Sequence, residues 1–218
     1  MAGMVEEPID NTILALKKQD VDLARKIFIN DDIIDEMEQI IEKRYLMLTA
    51  RQHPLAKDLR TMSTALKIIT DLERIADHSA GIAEITIRMA HQKHIKPLID
   101  VPKMAELAKG MVEKSVDAYV KQDIELAKEV CESDNELDDL FFKIVLELTK
   151  LIKNDVQTAE QAVDLMFVAK YLERIPGHAT NIGEWVIFSV TGKHKHLATQ
   201  LHRDDYRNSP FIEDSSND

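Results

Sequence analysis

Two heptapeptides of this chain, residues 72–78 and 172–178, share five of seven residues and lie one hundred positions apart. Over residues 71–84 against 171–184, seven of fourteen positions are identical, whereas average composition gives about one. A second pair of segments, 18–25 and 121–128, repeats at an offset of 103. The chain is therefore an internal duplication, and its fold must consist of two similar halves.

The composition and the apolar spacing indicate an all-α fold. Glycine, proline and aromatic residues are few, and strong helix formers dominate. Apolar residues recur in steps of three and four, which predicts three helices per half. We expect two tandem three-helix bundles of antiparallel up-down helices, placed end to end along one rod. The predicted helices span residues 9–28, 31–52 and 54–92 in the first half, and 103–131, 133–153 and 157–191 in the second.

The same pattern divides the chain into four segments. Pro97 and Pro102 bracket a short linker, and the residues from Lys193 onward are mostly polar. We therefore predict a first bundle at residues 1–94, a linker at 95–102, a second bundle at 103–192 and a polar C-terminal tail at 193–218.

Net charge and apolar run length limit the classes of partner. The formal charge of −11 disfavours nucleic acid and anionic lipid, and favours a metal, a basic ligand or a protein. No secretory pattern opens the chain, and no apolar stretch approaches the roughly 20 residues that cross a bilayer. We expect a cytoplasmic protein without direct membrane insertion, in which the single cysteine, Cys131, is a buried thiol.

In the first half, the sequence places carboxylates of two antiparallel helices at the same height along the helix axes. Asp31 and Asp35 are four residues apart and share one helical face, as do Glu73 and Asp77. With a turn near residue 53, Asp35 lies about eighteen residues before it and Glu73 about nineteen after it, so the two are at equal height. The sequence therefore predicts that these four side chains converge.

The second half repeats this arrangement with one acid fewer. Asp138 and Glu173 lie at equal heights about a turn near residue 154, and Asp134 precedes Asp138 by four. The fourth position, Asp77 in the first half, is Gly177 in the second, where Pro176 precedes it. Three of the four carboxylates are thus retained.

Clusters of carboxylates beside an apolar stripe have two interpretations. They can bind hard or borderline cations such as Mg, Mn, Ca or iron, which prefer oxygen ligands. They can instead form helix salt bridges with nearby basic side chains; the candidates are Arg60, Lys67, Arg74 and Arg174.

No sequence signature of catalysis accompanies the clusters. The chain has no Gly-rich phosphate loop and no nucleophile elbow. No histidine has a glutamate three residues before it, as a di-iron enzyme of the acid-plus-imidazole type requires. The wheel places His78 and His178 away from the acids, so we expect interhelical or solvated histidines rather than ligands.

The assembled motifs resemble the PhoU family of phosphate-uptake regulators. The similarity rests first on two copies of Asp-x-x-x-Asp at the start of a helix, and on two copies of Leu-Glu-Arg-Ile followed by His-x-x-x-Ile-x-Glu. The segments 52–60 and 178–185 also resemble segments of that family. It covers roughly residues 8–192. The resemblance implies a duplicated three-helix bundle with metal clusters of iron, Mg or Mn and frequent dimerisation. Carried over position by position, the implied metal ligands are Asp31, Asp35, Glu73, Asp77, Asp134, Asp138 and Glu173.

The resemblance also implies a regulator rather than an enzyme. Members of the family restrain the high-affinity phosphate ABC transporter and help to hold a sensor histidine kinase inactive when phosphate is plentiful. Three departures are visible: Gly81 stands where the family often has Asn, Pro176-Gly177 replaces Gly-Asp, and the first helix is short. We expect the second cluster to hold fewer ions. A metal-dependent enzyme and a purely structural helical rod remain the alternatives.

Overall fold

The computed structural model describes residues 1–52, 54–133 and 135–193, and these residues form helices without any strand. The predicted all-α fold of two repeated helical units is confirmed. The predicted tail at 193–218 lies outside the described residues except for Lys193. The helices are α1 (Ala2–Lys18), α2 (Val21–Gln52), α3 (Ala56–Met89), α4 (Asp100–Lys121), α5 (Ile124–Glu132), α6 (Asn135–Asn154) and α7 (Ala159–Thr191), with a 3-10 turn at Val156–Thr158 before α7.

The first helix of each unit ends earlier than the sequence pattern predicts. The predictions of single helices at 9–28 and 103–131 are wrong, because the chain breaks at Gln19 and again at Gln122, which both adopt left-handed backbone conformations with φ of 55° and 53°. The next residue then caps a new helix. The side chain of Asp123 accepts hydrogen bonds from two backbone amides of α5, and Asp20 accepts one from Leu23.

These breaks change which residues form the second rod of each unit. In the first unit α2 runs unbroken through residues 29–30, where a turn was predicted. In the second unit α5 and α6 together correspond to α2, with residues 133–134 between them. The connection between the units runs from residue 90 to 99, so it overlaps the predicted linker of 95–102 only in part.

The two units lie side by side, and the predicted end-to-end rod is wrong. Helices α3 and α7 run antiparallel along their whole lengths: Arg60 Nε donates to the Ser189 carbonyl at 3.0 Å near one end, and Arg88 Nη2 lies 2.5 Å from Asp164 Oδ1 near the other. One core cluster includes fully buried residues of both units, such as Ile75 and Leu172. A helix that packs against its own bundle and also against a second bundle is buried on more than one side, as α3 and α7 are.

The repeated segments meet at the middle of this helix pair. The rings of His78 and His178 lie 5.3 Å apart, as interhelical histidines. On one side of them Asp71 Oδ1 lies 2.9 Å from His178 Nδ1 and accepts a hydrogen bond from Asn181. On the other side the equivalent positions carry Tyr171, which packs on His78 at 5.6 Å, and Gly81.

Gly81 leaves room for the ring of Tyr171. A Cβ atom at residue 81 would lie 2.8 Å from the Cε2 and Cζ atoms of Tyr171, closer than van der Waals contact allows. The first repeat has Asp71 and Gly81 where the second has Tyr171 and Asn181, so the missing side chain at Gly81 compensates for the bulk of Tyr171.

No helix in the described part of the chain has both the length and the apolar character needed to cross a membrane.

The packing of Gly81 against Tyr171 makes a testable prediction about stability. Gly81→Ala should lower the free energy of unfolding by roughly 1–2 kcal/mol, because the overlap with the ring outweighs the gain in helix propensity. Gly110→Ala is the matched control: nothing lies within 4 Å of its Cβ position, so it should stabilise by about 0.5–1 kcal/mol. Chemical denaturation measures both.

The ring itself can be removed to test the cause. In a Tyr171→Ala background, Gly81→Ala should become neutral or stabilising. If Gly81→Ala destabilises equally with and without the tyrosine ring, the compensation between the two residues is refuted.

Candidate metal centre and the cleft between the repeats

A hydrogen bond between α2 and α3 fixes the heights of the acidic residues in the first unit. Thr70 Oγ1 donates to Glu38 Oε1 at 2.8 Å. Asp35 lies three residues before Glu38 on α2, and Glu73 lies three residues after Thr70 on α3, so antiparallel packing places Asp35 and Glu73 at the same level.

The four carboxylates of the first unit act on one another electrostatically. Burial, reinforced by the negative charges of Asp77 and Asp35, raises the pKa of Asp31 to about 6. Burial and Asp77 raise the pKa of Glu73 to about 7, although Arg74 opposes the shift. The pKa of Asp35 is raised by burial and then by Asp77. The structure thus brings the four predicted residues of this unit into one group.

Three oxygens of this group have no hydrogen-bond partner. Asp31 Oδ1, Asp35 Oδ1 and Glu73 Oε2 are buried and unsatisfied, an arrangement that typically costs 1–3 kcal/mol per group and more when the group is charged. Arg74 compensates part of the charge: its Nη1 donates to Asp77 Oδ2 at 2.9 Å, and its Nε lies 3.4 Å from Glu73 Oε2 as an ion pair without a hydrogen bond. The salt-bridge interpretation therefore accounts for Asp77, partly for Glu73, and for neither Asp31 nor Asp35.

Arg60 and Lys67, two other candidate salt-bridge partners of these acids, contact α7 instead. Arg60 donates to α7, as described above, and Lys67 Nζ lies 5.9 Å from the centre of the Trp185 ring. Asp31 and Asp35 consequently keep their unsatisfied oxygens.

The donor set fits a hard cation, but the side chains are not closed around one point. Within the described residues, no three Asp, Glu, His or Cys side chains are placed so that they could hold a metal ion together. Arg74 occupies Glu73 and Asp77, so an ion would have to displace its guanidinium. The buried oxygens of Asp31, Asp35 and Glu73 that lack hydrogen-bond partners are the atoms that such an ion would satisfy.

The second unit is less acidic and supplies its own cation. Asp138 and Glu173 line one cleft, while Asp134 lies outside the described residues. Lys170 Nζ contacts Glu173 Oε2 at 2.5 Å and lies 5.3 Å from the centre of the Phe141 ring. By the repeat, Lys170 stands where the first unit has Thr70, and Phe141 where it has Glu38.

The cleft itself was not predicted from the sequence. It has a volume of about 830 Å³ and is lined by residues of α3, α6 and α7, so both repeats contribute to it. Besides acids it presents basic groups from both units, Arg74, Lys170 and Arg174. The repeated arginine of the two Leu-Glu-Arg-Ile segments was the available signal, but only the antiparallel pairing of α3 and α7 shows that the two copies face a common space.

The single cysteine does not line this cleft, although its thiol contacts Thr180, which does. Cys131 is buried, and burial, followed by Glu184 and Glu132, raises its pKa to about 12. Its thiol lies 3.8 Å from the Thr180 carbonyl. The prediction of a buried thiol is confirmed, and such a thiol is a poor nucleophile.

Comparison with known proteins gives one consistent result. The family model described as the PhoU domain matches the chain twice, over residues 1–86 and 101–186. A protein of Clostridium acetobutylicum called phosphate-specific transport system accessory protein PhoU homolog is 40% identical over 194 residues, which cover 88% of this chain and 89% of that protein. A protein of the same name from Aquifex aeolicus is 39% identical over 200 residues, or 90% of each chain.

Solved structures agree with the sequence comparisons. The crystal structure of PhoU from Pseudomonas aeruginosa superposes with a TM-score of 0.84 at 30% identity, over 88% of this chain and 93% of that one.

The raised pKa values predict that the metal-free protein is more stable in mild acid. Glu73 and Asp31 bind protons more tightly in the folded than in the unfolded chain, so protonation stabilises the fold as the pH falls below about 7. Glu73→Gln should remove part of this dependence and raise the free energy of unfolding at pH 8 by on the order of 1 kcal/mol. Denaturant unfolding in the presence of a chelator at pH 5.5 and pH 8 measures the effect.

A control on the same pair of helices isolates the cause. Glu36→Gln changes an exposed glutamate of α2 and should leave the difference between the two pH values unchanged. An equal effect of Glu36→Gln and Glu73→Gln would show that general charge, rather than the buried group, governs the response.

Proposed function

Because the chain belongs to the PhoU family, we propose that it is an accessory protein of high-affinity phosphate transport, a cytoplasmic negative regulator of phosphate uptake and of phosphate-starvation signalling. The observation that carries this proposal is the match of the PhoU domain to both halves, together with relatives named as phosphate transport accessory proteins that cover most of the chain. Its role is that of an adaptor between the phosphate ABC transporter and a sensor histidine kinase, as a homodimer.

An adaptor needs surface for other proteins, and the hairpin of α2 and α3 provides it. In the second half of α2, Leu46, Met47 and Leu48 are 44–63% exposed, and Leu55 in the turn is 77% exposed. Clustered exposed apolar residues favour protein contacts. We assign the transporter contact to this hairpin tip, defined as residues 46–52 and 54–59.

The metal component of the proposal rests on the first unit. Asp31, Asp35, Glu73 and Asp77 would hold a hard cation, Mg, Mn or iron, which neutralises their mutual repulsion. Since Asp31 and Asp35 lie on α2 and Glu73 and Asp77 on α3, a cation held by these residues would supply positive charge between the two helices. Asp134, Asp138 and Glu173 would form the weaker site of the second unit, because Lys170 competes there and the fourth acid is Gly177.

Catalysis is not required by this function. The alternative of a metal-dependent enzyme has no sequence signature of catalysis in its support. The thiol of Cys131 is buried with a raised pKa and is a poor nucleophile, and His78 packs against His178 and Tyr171. We therefore propose a binding protein.

Removing two carboxylates should remove the metal without unfolding the helices. Asp35→Ala combined with Glu73→Ala should abolish metal binding by the first unit, while circular dichroism shows nearly unchanged helix content, since both changes remove a costly buried charge. Elemental analysis of protein purified without chelator measures the ion per chain. Unchanged metal content in this variant would contradict the assignment.

Removing the guanidinium of Arg74, which competes with a cation for Glu73 and Asp77, should have the opposite effect on metal binding. Arg74→Gln should strengthen cation binding about tenfold or more, because the ion no longer displaces an ion pair from Glu73 and Asp77. Arg44→Gln, an exposed arginine of α2, serves as the matched control and should change affinity less than twofold. Titration calorimetry with Mn²⁺ compares the three proteins.

The regulatory role is tested in cells that lack this protein. Such cells should express a phosphate-starvation reporter in high phosphate, and the intact chain should restore repression. Leu46→Glu with Leu55→Glu should restore neither repression nor co-purification with the transporter, because charge on the hairpin tip opposes apolar docking. Val120→Glu, at a site 72% exposed on α4, is the control and should behave as the unaltered chain does. Failure of the intact chain to restore repression would defeat the proposal.

A further inference from the structure

The side of α2 that faces solvent carries a row of exposed isoleucines. Ile29, Ile33 and Ile40 are 42–63% exposed, and at about 100° per residue they lie within roughly 40° of one another around the helix. We call these three residues the outer seam; Met47 continues it into the hairpin tip. Helix α2 packs against α1 and α3, and its buried residues lie on the opposite side: Ala24, Ile27 and Ile34. The described part of the chain therefore leaves the outer seam uncovered.

The second repeat shows that the fold does not require this seam. At the offset of 103, the three isoleucines and Met47 correspond to four charged residues of the second unit: Glu132, Glu136, Lys143 and Lys150. Those positions are exposed as well. An outer helix of this fold thus accepts a charged, solvated face, so the exposed isoleucines of the first unit indicate a contact that the second unit does not make.

Basic side chains lie on both sides of the outer seam. Five exposed bases belong to the solvent-facing half of α2, and none of them forms an ion pair within the described residues: Arg25, Lys26, Lys43, Arg44 and Arg51. Three exposed acids share that half: Asp22, Asp32 and Glu36. This face therefore has two more bases than acids, although the chain as a whole has a formal charge of −11.

The width of the seam and the sign of its flanking charges select one kind of partner. A helix that lies on a membrane buries a broad apolar face. A narrow seam with steps of seven residues, as from Ile33 to Ile40 and on to Met47, is instead typical of contact with one other helix. Two copies of this chain paired through the seam would set bases against bases, which is unfavourable.

We propose that the solvent-facing side of α2 binds an amphipathic helix of another protein, whose own apolar seam is flanked by acidic side chains. The isoleucines pack against that seam, and the bases pair with carboxylates on either side of it. From Ile29 to Met47 the surface is about 27 Å long, the length of a partner helix of about 18 residues. This contact goes beyond the proposed function, because it requires neither the acidic group of the first unit nor Leu46 and Leu55 of the hairpin tip.

Synthetic peptides test the chemistry of the partner on the full chain. The probe is a fluorescein-labelled peptide of about three heptads with leucine at positions a and d and glutamate at e and g, where like charges oppose pairing with itself. One comparison peptide has lysine at e and g, and another has the residues of the probe in scrambled order. Fluorescence anisotropy should show that the acidic probe binds at least tenfold tighter than either comparison peptide. Raising the salt concentration from about 50 mM to about 500 mM should weaken its binding severalfold.

Substitutions in the outer seam test the apolar part of the contact. Ile33→Glu with Ile40→Glu should weaken binding of the acidic probe at least tenfold. Phe142→Glu with Leu146→Glu changes an exposed apolar pair on α6 and is the matched control, which should alter binding less than twofold. Circular dichroism should show unchanged helix content in both variants, because all four side chains are exposed.

Charge reversal beside the seam gives a result that partial unfolding cannot imitate. Lys43→Glu with Arg44→Glu should weaken binding of the acidic probe and strengthen binding of the lysine peptide, so that the preference between the two peptides inverts. An unchanged preference would overturn the proposal.

Three further outcomes would also overturn it. The first is equal binding of all three peptides, or an equal loss in the seam variant and its control. The second is co-sedimentation with phosphatidylglycerol vesicles that Ile33→Glu with Ile40→Glu abolishes, which would assign the surface to lipid. The third is a dimer that the same variant dissociates in sedimentation velocity, which would assign the surface to a second copy of the chain. Each of these leaves the transporter contact at the hairpin tip standing, because that contact is tested by Leu46→Glu with Leu55→Glu.

Discussion

The antiparallel contact between α3 and α7 is the constraint on which the other features depend. It joins the bundles side by side and buries apolar residues of both units in one core. Each of the two helices carries its Leu-Glu-Arg-Ile segment near the middle, so the antiparallel direction brings the two copies face to face at His78 and His178. Acids and arginines that are one hundred residues apart in the chain thereby line one cleft.

Packing holds the carboxylates of the first unit together against their own repulsion. The bond from Thr70 to Glu38 and the apolar core set the register of α2 and α3, and Asp31 and Glu73 are partly desolvated as a consequence. Three agents can relieve the resulting cost: a proton, the guanidinium of Arg74 or an external cation. They compete at Glu73, which has a raised pKa and faces Arg74, so the state of the group depends on pH and on the ions present.

The helical class and the level of the acids within one hairpin were predictable from the sequence, whereas the local helix breaks and the packing of the two repeats were not. The heights of Asp35 and Glu73 follow from the turn between their helices. The breaks at Gln19 and Gln122 were missed, since apolar spacing continues across them and the only cue is the following aspartate, which can cap a helix. The side-by-side arrangement requires a second buried face on α3 and α7, which a helical wheel shows only as a widened stripe.

Three differences between the repeats lower the negative charge around the second group of acids. Glu38 corresponds to Phe141, Thr70 to Lys170, and Asp77 to Gly177, although Ile33 corresponds to the acidic Glu136. Each of the three changes makes the second group less negative, and Lys170 supports Glu173 from its own helix while its ammonium lies over the Phe141 ring. A built-in cation thus does in the second unit what an external ion would do in the first. We expect such a pair of sites to respond unequally to ions, because among the described residues the first leaves oxygens of Asp31, Asp35 and Glu73 without hydrogen-bond partners, whereas the second leaves Glu173 Oε2, which Lys170 contacts.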